Sequence, residues 1–197
     1  MNEITVNNTG LEEYIRTNYD TFKYVSSTTK CISNSELFFE EIKNDKYFMI
    51  CLDYNLNHNW KILDNLPEEY KKKCEFLCNA ICPPACPNRK DHYNLNGYFS
   101  LSYGKVYSTP GCGISNSTIS VSTRNFKNNI TNEELYNVYV PKGFEYFKIE
   151  GRTLPLYEVA MNYAYYMIKP EYRDMYLYEV MSFYFDNYTN ENKMKLQ

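Results

Sequence analysis

Two groups of residues in this chain have the types and spacing to do chemistry. The first is Lys148, Glu150 and Arg152 in Tyr146-Phe147-Lys148-Ile149-Glu150-Gly151-Arg152-Thr153-Leu154-Pro155, where charge follows an apolar run that reads as a buried strand. Residues alternate across a strand, so these three fall on one face, and in α/β folds ligands gather outside the carboxyl ends of parallel strands. Together they could orient an anionic substrate through charge-assisted hydrogen bonds. An ordinary strand-end salt bridge is the competing reading. The second group is the cysteines. Cys74, Cys78, Cys82 and Cys86 recur every fourth residue, but Pro83-Pro84 prevents one continuous helix from carrying them. Cys82 and Cys86 therefore belong to a turn, with Cys112, flanked by Gly111 and Gly113, as the third thiol and Cys78 as the nearest fourth.

Four thiolates could hold an iron–sulfur cluster, and three with His92 could hold Zn²⁺. The spacing matches neither a zinc knuckle, with its two residues between paired ligands, nor the three-cysteine motif of radical S-adenosylmethionine enzymes. Free buried thiols are the alternative, the reading given to Cys31 and Cys51. His58, between asparagines, reads as a loop or capping residue. No Ser-His-Asp order and no His-Glu-x-x-His motif supports hydrolysis.

The elements that must position these residues follow from periodicity. Short strands are expected at 4–7, 22–26, 47–52, 75–80 and 144–149. Helices are expected from Leu11, from a Ser33 or Asn34 cap through Ile42 with Ser33 and Glu36 at capping-box spacing, over Trp60–Tyr70 within the limit set by Pro67, and over Leu156–Ile168, which Lys169-Pro170 ends. Strands alternating with helices predict an α/β fold with a parallel sheet. The absence of Gly-x-Gly-x-x-Gly after a strand argues against a dinucleotide-binding unit. A complete barrel typically needs ~250 residues. At 197 residues the expectation is a single domain over 1–197, a partial TIM-type (β/α) barrel of about five βα units with a long cysteine-containing insertion at 82–143.

A resemblance supports the same outline. Phe147-Lys148-Ile149-Glu150-Gly151-Arg152 before a Tyr-rich helix, and Ala80-Ile81-Cys82 after an apolar strand, resemble the peptidase U32 family. A related group of barrel proteins is similar through Ser26-Ser27-Thr28-Thr29, Leu52-Asp53-Tyr54-Asn55-Leu56-Asn57, Cys82-x₃-Cys86-Pro87-x-Arg89-x₂-His92-Tyr93 and Lys169-Pro170-Glu171-Tyr172. The resemblance spans most of residues 3–175. It implies a TIM-type barrel and, in several members, a [4Fe-4S] cluster used for oxygen-independent hydroxylation of RNA bases or quinone precursors. The cysteine spacing departs from the family's: the second cysteine comes four residues after the first, and only Cys112 follows. The resemblance also implies that three amino-terminal βα units are absent.

Composition bounds the rest. With 44% hydrophobic and 17% aromatic residues the chain can bury a core, and a net charge of −3 gives no global footprint for nucleic acid. No run approaches the ~18 apolar residues of a membrane span. Seven cysteines without a secretion signal point to metal or thiol chemistry in a cytosolic protein rather than to disulfides. Five parallel strands cannot close a barrel, so the Ile4–Val6 strand is expected to expose an edge and to pair in a homodimer or with a chain supplying the missing units.

Overall fold

The computed structural model describes residues 2–101, 126–151 and 154–194, so Cys112 and Arg152 lie outside the described residues. The chain divides into two compact units at residue 150.

The first unit is a five-stranded parallel sheet in the order β1-β2-β3-β4-β5: β1 Asn2–Val6, β2 Phe22–Ser26, β3 Met49–Cys51, β4 Cys74–Leu77 and β5 Tyr146–Lys148. Every strand is added on the same side of its predecessor. A doubly wound sheet reverses its strand order at a switch point. This one does not, so its winding is compatible with part of a β/α barrel. β1 and β5 are its edges.

Each helix between strands has a local cause. α1 (Thr9–Asn18) starts where the Asn8 side chain accepts from Leu11 N at 2.9 Å, and Glu12 in its first turn complements the helix dipole. α2 (Ser35–Lys43) buries Phe38 and Ile42, one turn apart, and Asn34 is its cap, accepting from Glu36 N and Leu37 N at 2.8 and 3.2 Å. The expected Ser33 capping box is therefore replaced by a one-residue cap, because the Asn34 oxygen reaches two first-turn donors. The single helix expected over Trp60–Tyr70 is two short ones, α3 (Trp60–Leu63) and α4 (Glu68–Lys71), parted by Pro67.

The 82–143 stretch is not simply a loop. It carries α5 (Arg89–Leu101) and, before β5, a helical run made of α6 (Asn132–Glu134), a π-helical segment Leu135–Tyr139 and a 3₁₀ turn Val140–Lys142. A capping box between Thr131 and Glu134 starts that run. The run delivers Tyr139 to the sheet: with Phe144 and Phe147 it surrounds Phe76, ring centroids lying 5.0, 4.9 and 6.0 Å away. Register puts Ile50, Cys74, Phe76 and Phe147 on this face and Cys51, Glu75, Leu77 and Lys148 on the other. Burying each large aromatic contributes about 1.5–3 kcal/mol, so this cluster anchors β4 and β5.

The second unit is a helical hairpin, α7 (Leu156–Met167) and α8 (Arg173–Met194), joined through the 3₁₀ turn Pro170–Tyr172. Pro170 ends α7 where the sequence requires. Arg173 closes the corner, its Nε donating to Ile168 O and its guanidinium to Tyr165 O, both at 3.0 Å.

Candidate functional site

At the carboxyl ends of β2 and β3 the residue that joins the following loops is Arg89. Asp53, just past β3, caps the short turn after it by accepting from Asn55 N at 2.9 Å, which leaves its other carboxylate oxygen to receive Arg89. Both partners are almost wholly buried. The Arg89 guanidinium also donates to Thr28 O and Thr28 Oγ1, each at 3.0 Å, its Nε donates to the Tyr93 hydroxyl at 3.1 Å, and the group lies 3.8 Å over the Tyr54 ring. Burial alone would push the Arg89 pKa down; the adjacent Asp53 carboxylate raises it, and the side chain stays cationic. Removing one member of such a pair strands a buried charge, at a cost of about 3–5 kcal/mol. Arg89 is thus fully occupied in tying the β2 loop, the β3 loop and α5 together.

Cys31 belongs beside this group rather than in the core. It is partly exposed, has a left-handed backbone (φ 58°), and feels the charges of Arg89 and Asp53. Its expected burial fails because the turn after β2 sends it outward; Cys51, on β3, is buried as expected.

The β4–β5 side is built differently. Asn79 extends the strand pairing with its side chain: Nδ2 donates to Glu150 O at 2.9 Å and Oδ1 accepts from Glu150 N at 2.8 Å, while Cys78 N donates to Lys148 O at 2.9 Å. That clamp fixes Glu150, whose carboxylate accepts from Ile81 N. Burial raises the Glu150 pKa, against the opposing pull of the Ile81 N–H, Arg89 and Lys148.

Next to it stands Cys82. Burial raises its thiol pKa, Glu150 and Cys86 raise it further, and the Tyr54 hydroxyl and Arg89 oppose them. The thiol is therefore protonated and poorly nucleophilic as it stands. Tyr54 is 1% exposed, and its hydroxyl reaches the Cys82 sulfur, where it favours the thiolate. The Tyr93 phenol, pushed up to about 12 chiefly by burial, faces the same group.

Of the residues the sequence singles out, then, Cys82, Cys86 and Glu150 share one neighbourhood. Cys78 lies deeper: it is fully buried, its thiol donates to Phe76 O at 3.7 Å, and burial pushes its pKa up to about 12, with Cys51 and Glu75 adding to the rise. Lys148 lies 3.2 Å from Glu75 Oε2, so its charge is partnered within the sheet. His92 sits on the first turn of α5, its backbone N donating to Asn88 O at 2.9 Å. Among the described residues, no group of three or more His, Cys, Asp or Glu side chains is placed to hold a metal ion. A tetrahedral zinc site or a [4Fe-4S] cluster takes four ligands, and the described residues supply two thiols in one place. They do not by themselves fit either group.

Periodicity could not reveal Arg89 as the organiser, because Asp53 and Thr28, which it joins to α5, lie 36 and 61 residues away. Thr28, Asp53, Tyr54, Arg89 and Tyr93 come from three separate segments of the sequence and meet here. A separate polar cleft of about 400 Å³ opens at the carboxyl ends of β1 and β2, lined by Asn7, Thr9, Thr29, Lys30, Lys90 and Asn94 among others. Comparison with protein-family models, curated proteins and solved structures returns no match.

Proposed function

We propose that this protein is a subunit built on part of a β/α barrel, contributing five βα units and a carboxyl-end mouth to an assembly in which another chain completes the sheet at β1. One observation carries this reading: the strand order runs from β1 to β5 without reversal and leaves β1 paired with β2 alone among the described residues. Closing a barrel takes roughly eight strands, and an uncovered parallel edge is a template for pairing. At the carboxyl end of that sheet the mouth is held by the Arg89 contacts with Asp53, Thr28 and Tyr93.

Thr5→Pro tests the reading, because proline is tolerated on an edge strand but cannot donate from it. Native purification through a carboxyl-terminal tag is expected to recover wild type with a stoichiometric second chain and Thr5→Pro without one. Recovery of both as identical monomers overturns the proposal.

A second reading has its own observation: Cys82 and Cys86 are both partly exposed thiols just past β4, and the Glu150 charge bears on Cys82. In this reading the thiols form part of a U32-like metal or iron–sulfur centre completed by Cys112, in a redox protein acting on RNA or a small anionic substrate. Anaerobic metal and sulfide analysis of wild type and of Cys82→Ser/Cys86→Ser decides it: metal present in the first and absent from the second supports the centre, and metal-free wild type removes it.

A further inference from the structure

The polar cleft at the carboxyl ends of β1 and β2 lies beside the Arg89 tie, and its lining has one chemical character. Three asparagines, two threonines and two lysines form it, with no carboxylate, aliphatic or aromatic side chain among them. Its walls come from three segments of the sheet unit: Asn7 and Thr9 after β1, Thr29 and Lys30 after β2, and Lys90 and Asn94 one turn apart on α5. The contacts of Arg89 with Thr28 and Asp53 hold the start of α5 against the turn after β2. Lys90 and Thr29, the neighbours of Arg89 and Thr28 in the chain, are thereby brought to one cleft with their placement fixed.

The two lysines differ. Lys30 Nζ donates to Glu41 Oε1 at 2.7 Å and to the Tyr47 hydroxyl at 2.8 Å, which positions it, matches its charge and leaves one ammonium N–H over. Lys90 is exposed, and among the described residues its side chain takes part in no hydrogen bond or ion pair. It stands in the first turn of α5, where a cation opposes the helix dipole. The cleft therefore carries an unmatched positive charge beside a set of uncharged hydrogen-bonding groups.

We propose that this cleft binds a small phosphorylated polyol of sugar-phosphate size, with Lys90 and the remaining N–H of Lys30 on the phosphate and Asn7, Thr9, Thr29 and Asn94 on the hydroxyls. Ammonium groups give a phosphate charge-assisted hydrogen bonds, and amides and hydroxyls both donate to and accept from sugar hydroxyls. The lining offers no stacking or apolar surface, which argues against a nucleobase or an acyl chain as the body of the ligand. At about 400 Å³ the cleft has the size of a small-molecule site and more room than a lone phosphate fills. It is built wholly from this chain, so the inference stands apart from the completion of the sheet at β1.

Amide chemical-shift titration of the full chain with ribose 5-phosphate, ribose and inorganic phosphate tests it, on wild type, Lys90→Gln and Lys61→Gln, the last an exposed lysine outside the lining. Ribose 5-phosphate is expected to give saturable shifts at the Thr9, Thr29, Lys90 and Asn94 amides, inorganic phosphate to bind more weakly at the same amides, and ribose to give none. Lys90→Gln should weaken ribose 5-phosphate roughly tenfold, the loss of one charge-assisted hydrogen bond, while Lys61→Gln should match wild type. Both changes lie on exposed side chains, so the spectra elsewhere should stay as in wild type. The absence of saturable shifts with ribose 5-phosphate overturns the proposal, as does binding that Lys90→Gln leaves unchanged. Inorganic phosphate binding as tightly as ribose 5-phosphate would reduce the cleft to a site for a free anion and overturn the polyol assignment.

Discussion

The mouth of the sheet and its β1 edge are opposites. At the mouth, side chains complete what the backbone leaves open: Arg89 joins three segments, and Asn79 continues the β4–β5 ladder past its end. At β1 a row of backbone donors and acceptors has no described partner beyond β2. The chain therefore spends buried charge to hold one boundary of its sheet in a single conformation, while the other is an edge paired on one side among the described residues. Regions that are over-determined fix architecture; an unpaired parallel edge is a template on which another strand can pair.

The comparison breaks most visibly at Arg89. Arg89→Ala leaves Asp53 buried without a counter-charge and should cost about 3–5 kcal/mol, read by urea denaturation. A loss under 1 kcal/mol would mean that the mouth does not depend on this pair. Asn79→Ala removes two backbone-like hydrogen bonds and should cost about 1–3 kcal/mol, with faster exchange of the Glu150 amide than in wild type; unchanged exchange there would show that the side-chain clamp is not what holds β5. Asn34→Ala, away from both boundaries, should cost about 1 kcal/mol through its lost cap, and Ser33→Ala should cost much less. Equal losses would restore Ser33 as the cap.

The smallest effect is a slope. Burial raises the Glu150 pKa in the folded state, so folding favours its protonated form. Its contribution is fully present below the unfolded value near 4.5 and is lost as pH rises through the folded value. Glu12 runs the other way: burial alone would raise it, but Tyr47 and Arg16 hold it below its ordinary value, so its contribution is present above that value and is lost on acidification. Glu150→Gln keeps an acceptor for Ile81 N and should flatten the fall in melting temperature as pH rises above the unfolded value near 4.5. An unchanged profile would place the titration elsewhere.

The sheet was legible in the sequence because its strands are local signals: Phe22–Ser26 is β2 to the residue, and Pro170 ends α7 where proline chemistry requires. The 82–143 stretch was not. Its helical run is polar at its start and includes a π-helical segment, so no regular 3.6-residue stripe marks it. The site was legible in part. Cys82 and Glu150 were visible as chemistry placed after apolar strands, whereas the Arg89–Asp53 pair links two loops across 36 residues and depends on tertiary packing that no local pattern encodes.

Exchange at individual β1 amides tests the central claim most directly. Val6 O accepts from Ser27 N, so Val6 and Ile4 direct their backbone groups toward β2, and Glu3 and Thr5 direct theirs toward the open edge. In a preparation shown to be monomeric, the Val6 amide should exchange slowly and the Thr5 amide at close to the unprotected rate, with Thr5 becoming protected only on assembly. Strong protection of Thr5 in the monomer would show that the edge is already covered and that the sheet needs no further strand.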